Sequence, residues 1–331
     1  MAETRLDVLA IGNAIVDVIA AAGDDFLAAE GLAKGSMRLI DAQEATRLYD
    51  HMPQGRESSG GSAANTVAGV AALGGRAGFI GRVADDQLGE VFRHDIRALG
   101  VAFETQAGPS EPPTARCLIV VTPDAQRTMN TFLGASQNLD AADVDAALIR
   151  SAAILYLEGY LWDPEAPRAA MRAAIDTARD AGRRVAFTLS DGFCVDRHRA
   201  DFRELIEGGK VDILFANEDE AKSLIQTDDF EAAAAWLAGK TDIVVITRSE
   251  KGAVVLAGGE RHAIPAEQAD AVVDTTGAGD LFAAGFLTGL AHGRSLPDCA
   301  RMGAIAAAEV ISHYGARPEK DLKALVSQRL G

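Results

Sequence analysis

The sequence predicts an α/β protein with a doubly wound, mainly parallel sheet flanked by helices and a small β-sheet lid. Two patterns indicate this fold. Apolar runs of about five to eight residues alternate with helical stretches between residues 6 and 248, as in parallel βαβ units. Two segments, at about 14–41 and 101–133, replace the alternation with short strand-like runs joined by turns. We therefore expect one domain over residues 1–331, with the lid inserted in the α/β core.

The individual elements follow from the same periodicity. Strands of the large sheet are predicted at 6–12, 76–83, 152–158, 183–190, 211–217 and 242–248, and short antiparallel lid strands at 14–22, 35–40, 114–122 and 127–133. Helices are predicted at 62–74, 86–100, 164–182 and over most of the chain after Ala278. Ser62 is the predicted N-cap of the first of these helices, and a strand-like run at 271–273 precedes the last helical part.

The composition limits the partners. The chain has 32 Lys and Arg against 48 Asp and Glu, and the net charge of −16 argues against binding nucleic acid or an anionic membrane. Cys117, Cys194 and Cys299 are odd in number and widely spaced, which argues against a disulfide framework and favours a reducing cytoplasm. The N-terminus lacks the pattern of a signal peptide, and no run reaches the roughly 20 apolar residues that span a bilayer. Small molecules are the expected partners, and a monomer and a homodimer both remain open.

The stretch DTTGAGDLFAAGF, residues 274–286, places three tiny residues before an acid at the predicted start of a helix. The first N–H groups of a helix have no intrahelical partner and lie at the positive end of its dipole, so Gly277, Ala278 and Gly279 would admit an anion to bare amides. Asp280 would take the proton from a hydroxyl that attacks phosphorus. Taken alone, the stretch is explained equally well by a glycine turn and a first-turn acid.

Two other phosphate-binding motifs are not matched. The Gly-Lys-Thr at residues 239–241 has Ala234 where a Walker loop needs its first glycine. The first predicted strand leads to GNAIVD instead of the G-x-G-x-x-G of a dinucleotide site, which weighs against an oxidoreductase.

Three motifs together resemble one family. DTTGAGDLFAAGFL is similar to the C-terminal signature of the PfkB (ribokinase-like) carbohydrate and nucleoside kinases, and residues 59–89 resemble the N-terminal signature through Gly60, Gly61 and Asn65. FANEDEA, residues 215–221, matches the Asn-x-x-Glu motif of the family through Asn217 and Glu220. The resemblance implies a ribokinase-like fold and transfer of the γ-phosphoryl group of ATP to a hydroxymethyl group.

The resemblance also implies roles for residues. Asp280 would be the base and the amides of residues 277–280 the anion hole, while Asn217 and Glu220 would act through Mg²⁺ and its waters. The segment TRSEKGAVV resembles the family's contact with the adenine and ribose of ATP, with Ser249 in place of the usual glycine. The candidates for ATP are therefore Thr247, Ser249, Gly252 and Arg127, and Asp274 matches a monovalent-cation position whose use Glu319 puts in doubt.

Acceptor residues are implied in the same way. Asn13 and Asp17 in GNAIVDV match the position where these kinases bind two substrate hydroxyls, which does not separate a sugar from a nucleoside. Other candidate acceptor contacts are Met37, Gly60, Gly61, Ser62, Asn65 and Thr276. The alternative for Asp17 is a solvated acid at the end of a strand. An acid within the apolar run AIVDVIA is costly, however, which favours a functional role.

The lid indicates the kind of acceptor. Met129, Thr131 and Leu133 alternate on one strand face, with Cys117 on the adjacent strand, and this face suits a flat base. Tyr160 and Phe193 follow strand ends and would stack on a purine. These positions resemble the adenosine kinase branch, so we predict ATP-dependent phosphorylation of the 5′-hydroxyl of adenosine to AMP, a purine-salvage reaction.

Alternatives to this acceptor remain open. The apolar residues of that face are also explained as lid core. Glu158, beside Tyr160, stands where adenosine kinases have a small residue and would instead bind sugar hydroxyls. A ribose, fructose or 2-keto-3-deoxygluconate kinase, or an inosine or guanosine kinase, is the alternative.

Overall fold

The structure is a computed structural model that describes residues 5–124 and 126–331. Its strands are β1 (Leu6–Ile11), β2 (Ile15–Ala21), β3 (Met37–Leu39), β4 (Arg56–Gly60), β5 (Ala77–Ile80), β6 (Ala102–Phe103), β7 (Ala115–Val121), β8 (Arg127–Phe132), β9 (Ala152–Glu158), β10 (Arg184–Thr188), β11 (Ile213–Asn217), β12 (Ile243–Thr247), β13 (Ala253–Ala257) and β14 (Glu260–Ile264). Its helices are α1 (Asp24–Ala29), α2 (Ala42–His51), α3 (Ser62–Ala72), α4 (Gln87–Ala98), α5 (Ala146–Ser151), α6 (Glu165–Asp180), α7 (Gly192–Glu207), α8 (Glu218–Ile225), α9 (Phe230–Leu237), α10 (Ala278–Ala291), α11 (Leu296–Val310) and α12 (Leu322–Leu330).

The large sheet has nine strands in the order β14-β13-β12-β11-β10-β9-β1-β5-β6. Neighbours are parallel from β12 to β6, and β13 and β14 add an antiparallel edge. The chain extends the sheet from β1 towards β6 and then returns to build the other half from β9. The strand order therefore reverses between β1 and β9, and a crevice opens at the carboxyl ends of strands at such a point.

The large sheet is buried on both faces. Along β1, Val8 and Ala10 belong to one apolar cluster, whereas Leu9 and Ile11 belong to the other. Successive side chains of a strand point to opposite faces, so a strand covered on both sides must be apolar throughout. This explains the run LDVLAI, in which the one polar residue, Asp7, is paired with Arg76, and it confirms the predicted α/β class.

The small sheet has the order β3-β8-β7-β2-β4. Its strands are mixed in direction: β2 pairs parallel with β7 and β3 with β8, whereas β7 and β8 form a hairpin and β4 runs antiparallel to β2. The prediction of purely antiparallel lid strands is therefore wrong. Parallel neighbours cannot be joined by a tight turn. Strands β2 and β7 are far apart in sequence, and only tertiary packing brings them together.

Further details differ from the sequence-based expectations, which did not include the strands β6, β13 and β14 of the large sheet. Residues 56–60 form the edge strand β4, which the polar sequence RESSG did not suggest. The run at 271–273 is not a strand; the N–H groups of Val273 and Asp274 both donate to the carbonyl of Ile311. Among the described residues, no helix is long and apolar enough to cross a membrane.

Candidate active site

Asp280 lies in the first turn of α10, and α3 holds its carboxylate. Ser62 Oγ donates to Oδ1 at 2.6 Å, and Asn65 Nδ2 donates to Oδ2 at 2.9 Å. Ser62 is thus the first residue of α3 and a partner of Asp280; the N-cap is Gly61, so the predicted cap at Ser62 is wrong. Burial raises the pKa of Asp280, and the two donors and the nearby Arg317 oppose that rise. A carboxylate with fixed oxygens at a helix N-terminus has the geometry of a positioned base.

The start of α10 provides the amides for an anion. Gly277 is its N-cap with φ of 78°, and a Cβ there would lie 2.7 Å from Cβ of Ala316, so the position requires glycine. Gly279 has open space around its Cα. Ala278 N–H already donates to the carbonyl of Thr275 at 3.3 Å, which leaves the amides of the neighbouring residues as the better donors. Thr276 contributes an N–H to Asp274 at 3.0 Å, not to this opening.

Asp17 extends from β2 towards the same site. An ideal Cβ on Gly60 would lie 2.3 Å from Asp17 Oδ2, so Asp17 packs directly on the bare backbone of β4. Burial raises the pKa of Asp17 to about 6, against the attraction of Arg317 and Arg127; Asp280 and Asp274 add to the rise. The carboxylate of Asp280 is therefore close enough to contribute to the raised pKa of Asp17.

One face of the small sheet combines polar and apolar side chains. The register places Leu39, Thr131, Cys117, Asp17 and Ser58 in one row across five strands. The next row contains Met37, Met129, Ile119, Ile19 and Arg56. Met37 and Leu39 are 49% and 61% exposed, which leaves part of this face open to an apolar ligand.

Leu39, which was not among the predicted contacts, lies in the same row as Thr131 and Cys117. The signal was present: Met37 and Leu39 alternate within one short strand. Leu133, in contrast, lies just beyond β8, where its carbonyl accepts from Ser136 Oγ at 2.5 Å.

Glu158 has a different role from the predicted sugar contact. It is fully buried at the end of β9, where Oε1 accepts from Asn13 N at 2.7 Å and Asn13 Nδ2 at 2.8 Å, and Oε2 accepts from Ala63 N at 2.7 Å. Burial raises its pKa to about 7. Glu158 therefore joins the end of β1 to the start of α3 and does not face a ligand.

Asn13 is drawn into the same network. Its Oδ1 accepts from Ser136 Oγ at 2.9 Å, and its side chain is committed to Glu158. At 2% exposure it is not free for the hydroxyl pair that the sequence suggested. Asp17, which is half-buried, stays the predicted contact for such a pair.

Tyr160 and Phe193 are placed differently from each other. The Tyr160 hydroxyl donates to the Ser190 carbonyl at 3.1 Å, and Ser190 Oγ accepts from the N–H of Tyr160 at 3.2 Å. Burial, followed by the carboxylates of Asp191, Asp280 and Glu220, raises the pKa of Tyr160. Phe193, at the start of α7, is 73% exposed. The side chain of Tyr160 is therefore held in place near Asp280, whereas that of Phe193 does not pack against the site.

Asn217 and Glu220 form a capping box at the start of α8. Glu220 N donates to Asn217 Oδ1 at 2.8 Å, and Glu220 accepts in return from the backbone N–H of Asn217 at 3.0 Å and its side-chain Nδ2 at 2.6 Å. Glu220 is 5% exposed, and burial raises its pKa to about 7. In the described residues no three His, Cys, Asp or Glu side chains cluster as metal ligands. Direct coordination of Mg²⁺ does not fit this pair, so only contact through the waters of the ion stays a prediction.

The candidate nucleotide residues lie at the turn between β12 and β13. Thr247 is paired with Asn217 in the sheet, which places this turn beside the capping box. Ser249 has φ of 51°, which explains why glycine is the usual residue there. At Gly252 a Cβ would lie 2.0 Å from the carbonyl oxygen of Ile264. This turn is therefore constrained enough to present backbone groups at a fixed position.

Arg127 and Asp274 contact each other. Arg127 Nη1 donates to Asp274 Oδ1 at 2.6 Å, and Gly315 N donates to Oδ2 at 2.9 Å. Both side chains are largely buried, and the pKa of Asp274 is lowered because these donors outweigh the effect of burial. A guanidinium already neutralises Asp274, so the expected cation position is not an open carboxylate here.

Comparison with known proteins identifies the family. The sequence matches the pfkB family carbohydrate kinases over residues 24–322. The chain belongs to the pfkB family. A pfkB kinase is a phosphotransferase that acts on a hydroxyl group, which agrees with a carboxylate beside a helix N-terminus.

Two solved structures are similar to this pfkB chain over almost its whole length. A probable sugar kinase from Rhizobium etli is 51% identical, with a TM-score of 0.92 over 98% of this chain and 99% of that one. Adenosine kinase from Sinorhizobium meliloti is also 51% identical, with a TM-score of 0.91 over 98% of this chain and 100% of that one. Among curated relatives, an ATP-dependent ribose-1-phosphate kinase from Halopiger xanaduensis is 33% identical over 70% of this chain and 73% of its own length. The family is thus shown, and its members include both nucleoside and sugar kinases.

Proposed function

We propose that this pfkB kinase transfers the γ-phosphoryl group of ATP to the 5′-hydroxyl of adenosine. The observation that carries the proposal is the Asp280 carboxylate, oriented by Ser62 and Asn65 at the opening of α10. Asp17 supplies the contact to the diol of a nucleoside. The apolar side chains on the same face of the small sheet, such as Met129, supply the contact to its base. The similarity to a 51% identical adenosine kinase supports this acceptor.

The reaction follows from these positions. Asp17 accepts hydrogen bonds from the two ribose hydroxyls and so fixes the ring. Asp280 takes the proton of the 5′-hydroxyl as its oxygen attacks the γ-phosphorus, and the bond to the bridging oxygen of ADP breaks. The amides around Gly277 and Gly279 stabilise the charge that develops on the transferred phosphoryl group. Mg²⁺, when bound with ATP, supplies charge neutralisation for the phosphates.

A sugar acceptor is the second candidate. The equally similar probable sugar kinase from Rhizobium etli favours it, and Asp17 would serve a sugar diol as well as a ribose. Glu158 gives this alternative no support, because its oxygens are committed to Asn13 and Ala63.

A coupled assay of ADP release tests both candidates. Adenosine, inosine, guanosine, ribose, fructose and 2-keto-3-deoxygluconate are compared at equal concentrations, with Asp280→Asn as the matched variant. We expect adenosine to turn over fastest and Asp280→Asn to lose roughly 10²- to 10⁴-fold in kcat, as is typical when a general base is removed. A sugar with a far higher kcat/KM than every nucleoside would replace adenosine as the acceptor. Near-full turnover by Asp280→Asn would refute the role of Asp280 as the general base.

A further inference from the structure

Arg317, in the loop between α11 and α12, is a buried cation that the motifs did not indicate. Its Nη2 donates to the Ser59 carbonyl at 2.6 Å and to Ser59 Oγ at 2.9 Å, and its Nη1 donates to the Ala64 carbonyl at 3.3 Å. Ser59 lies in β4, the edge strand of the small sheet, whereas Ala64 lies in the first turn of α3. One guanidinium therefore joins the C-terminal loop, the small sheet and the helix that carries Ser62 and Asn65.

A cavity connects this guanidinium with the candidate site. It has a volume of about 120 Å³, and its lining includes Asp17, Arg56, Ser59, Asn65, Arg317 and Glu319. Two buried polar atoms of that lining, Asn65 Oδ1 and Arg317 Nε, have no hydrogen-bond partner among the residues that the structure describes. Buried polar atoms without partners are rare in native proteins, and two beside one cavity indicate a position that water or the acceptor completes.

Arg317 lies among three carboxylates, those of Asp17, Asp95 and Asp280. The charges that act on Asp17 are those of Arg317, Arg127, Asp280 and Asp274, and Asp17 adds to the rise in the pKa of Cys117 that burial causes. Ser62, Asn65 and Arg317 lower the pKa of Asp280. Asp280 in turn adds to the raised pKa values of Asp17, Tyr156, Glu158 and Tyr160. Arg127 is already paired with Asp274, and Arg56 also lines the cavity, but Arg317 is the described cation whose charge acts on both Asp17 and Asp280.

We propose that Arg317 is a positioning residue that keeps Asp17 and Asp280 ionised and fixes the distance between the small sheet and α3. The inference rests on the proposed function, since it assigns the base to Asp280 and the diol contact to Asp17. Arg317 itself does not touch the reacting atoms. Its charge acts across the cavity, and its fork of donors on Ser59 and Ala64 sets where that charge lies.

The test is the pH profile of kcat/KM for the acceptor that turns over fastest. Arg317→Gln should move the acidic limb upward by roughly one pH unit, because an opposite charge nearby lowers a carboxyl pKa by about that much or more. The variant then loses about tenfold at a pH on the limb and little well above it. Arg317→Lys, which keeps the charge, should leave the limb close to that of the wild type while lowering Tm.

Ser59→Ala is the structural control. It removes the hydroxyl that Arg317 and Asp95 share, but not the charge, so Tm should fall while the acidic limb stays in place. Arg317→Met, which is apolar and of similar reach, replaces the glutamine variant where that protein does not fold. A folded, neutral variant at residue 317 with an unmoved limb would overturn the inference.

The failure of the proposed function looks different. In that case Asp280→Asn retains turnover, whatever the profile of the Arg317 variants. An inactive Asp280→Asn together with an unmoved limb in Arg317→Gln rejects only the role of Arg317.

Discussion

At the scale of the residue, the buried carboxyl of Glu158 shows how one side chain assembles the crevice. It accepts three hydrogen bonds from Asn13 and Ala63, so the end of β1 and the first turn of α3 are fixed relative to β9. Of these elements, α3 carries Ser62 and Asn65, the two partners of Asp280. Glu158 therefore positions the candidate site without touching a ligand.

Glu158→Gln should destabilise the protein by about 1–3 kcal/mol, because the new amide group faces an N–H donor and leaves it unsatisfied. The cost should depend on pH. Burial raises the pKa of Glu158 in the folded state to about 7, from 4.5 in the unfolded chain. The folded protein then binds the extra proton between these values, so wild-type stability from this group is complete below pH 4.5 and is lost as the pH rises through 7.

Urea unfolding of wild type and Glu158→Gln between pH 4.5 and 8 measures this effect. The difference in unfolding free energy should be largest at the acidic end and shrink towards pH 8. Glu104→Gln, at a side chain that is 79% exposed, is the control and should change little at any pH. A difference that grows with pH would contradict the assignment.

At the scale of the element, the ion pair of Arg127 and Asp274 connects the small sheet to the loop before α10. Arg127 opens β8, and Asp274 also accepts from the N–H groups of Thr276 and Gly315. A single contact thus couples the position of the lid strands to the segment that presents Gly277. Movement of the small sheet must break this pair or carry the loop with it.

A double-mutant cycle with Arg127→Met and Asp274→Asn should give a coupling free energy of about 1–3 kcal/mol, since each single change leaves a buried partner uncompensated. Unfolding free energies from urea titration provide the four corners of the cycle. The exposed pair Arg203 and Glu207 is the matched control, with an expected coupling of about 0.3–0.5 kcal/mol. Equal coupling in both pairs would mean that the contact at β8 does not hold the lid.

At the scale of the whole molecule, the three cysteines lie in three different parts of the fold. Cys299 belongs to the apolar cluster that contains Val8, Cys194 belongs to the cluster that contains Leu9, and Cys117 lies in the small sheet. All three are free and buried, and burial raises the pKa of each thiol to about 12. The thiolate is the reactive form, so the native protein should be nearly inert to thiol reagents.

Labelling with a disulfide reagent should therefore report opening of the structure. Cys194 and Cys299 should react only as the whole chain unfolds, and Cys117 should react earlier if the small sheet opens by itself. Adenosine should slow the labelling of Cys117, because a ligand that binds the closed site stabilises it. Mass spectrometry of labelled peptides resolves the three rates. Rapid labelling of Cys194 or Cys299 in the native protein would contradict the assignment of both to closed cores.

The sequence by itself determined six of the nine strands of the large sheet, the pfkB motifs and the candidate base, because these depend on local patterns. Apolar runs define buried strands, and the glycines before Asp280 occupy a helix N-terminus wherever that helix packs. The small sheet was only partly predictable. Its hairpin is local, whereas its parallel pairs and the polar edge strand β4 depend on contacts between distant segments.

Only the tertiary structure decided which polar side chains face each other. Ser62 and Asp280 are 218 residues apart, Asn13 and Glu158 are 145 apart, and Arg317 and Ser59 are 258 apart. No local periodicity encodes such a pairing, because hydrogen bonds and ion pairs act over a few ångströms between elements that the fold brings together. For that reason the sequence indicated the reaction, while the structure moved Glu158 and Asn13 from ligand contacts to supports and revealed Arg317.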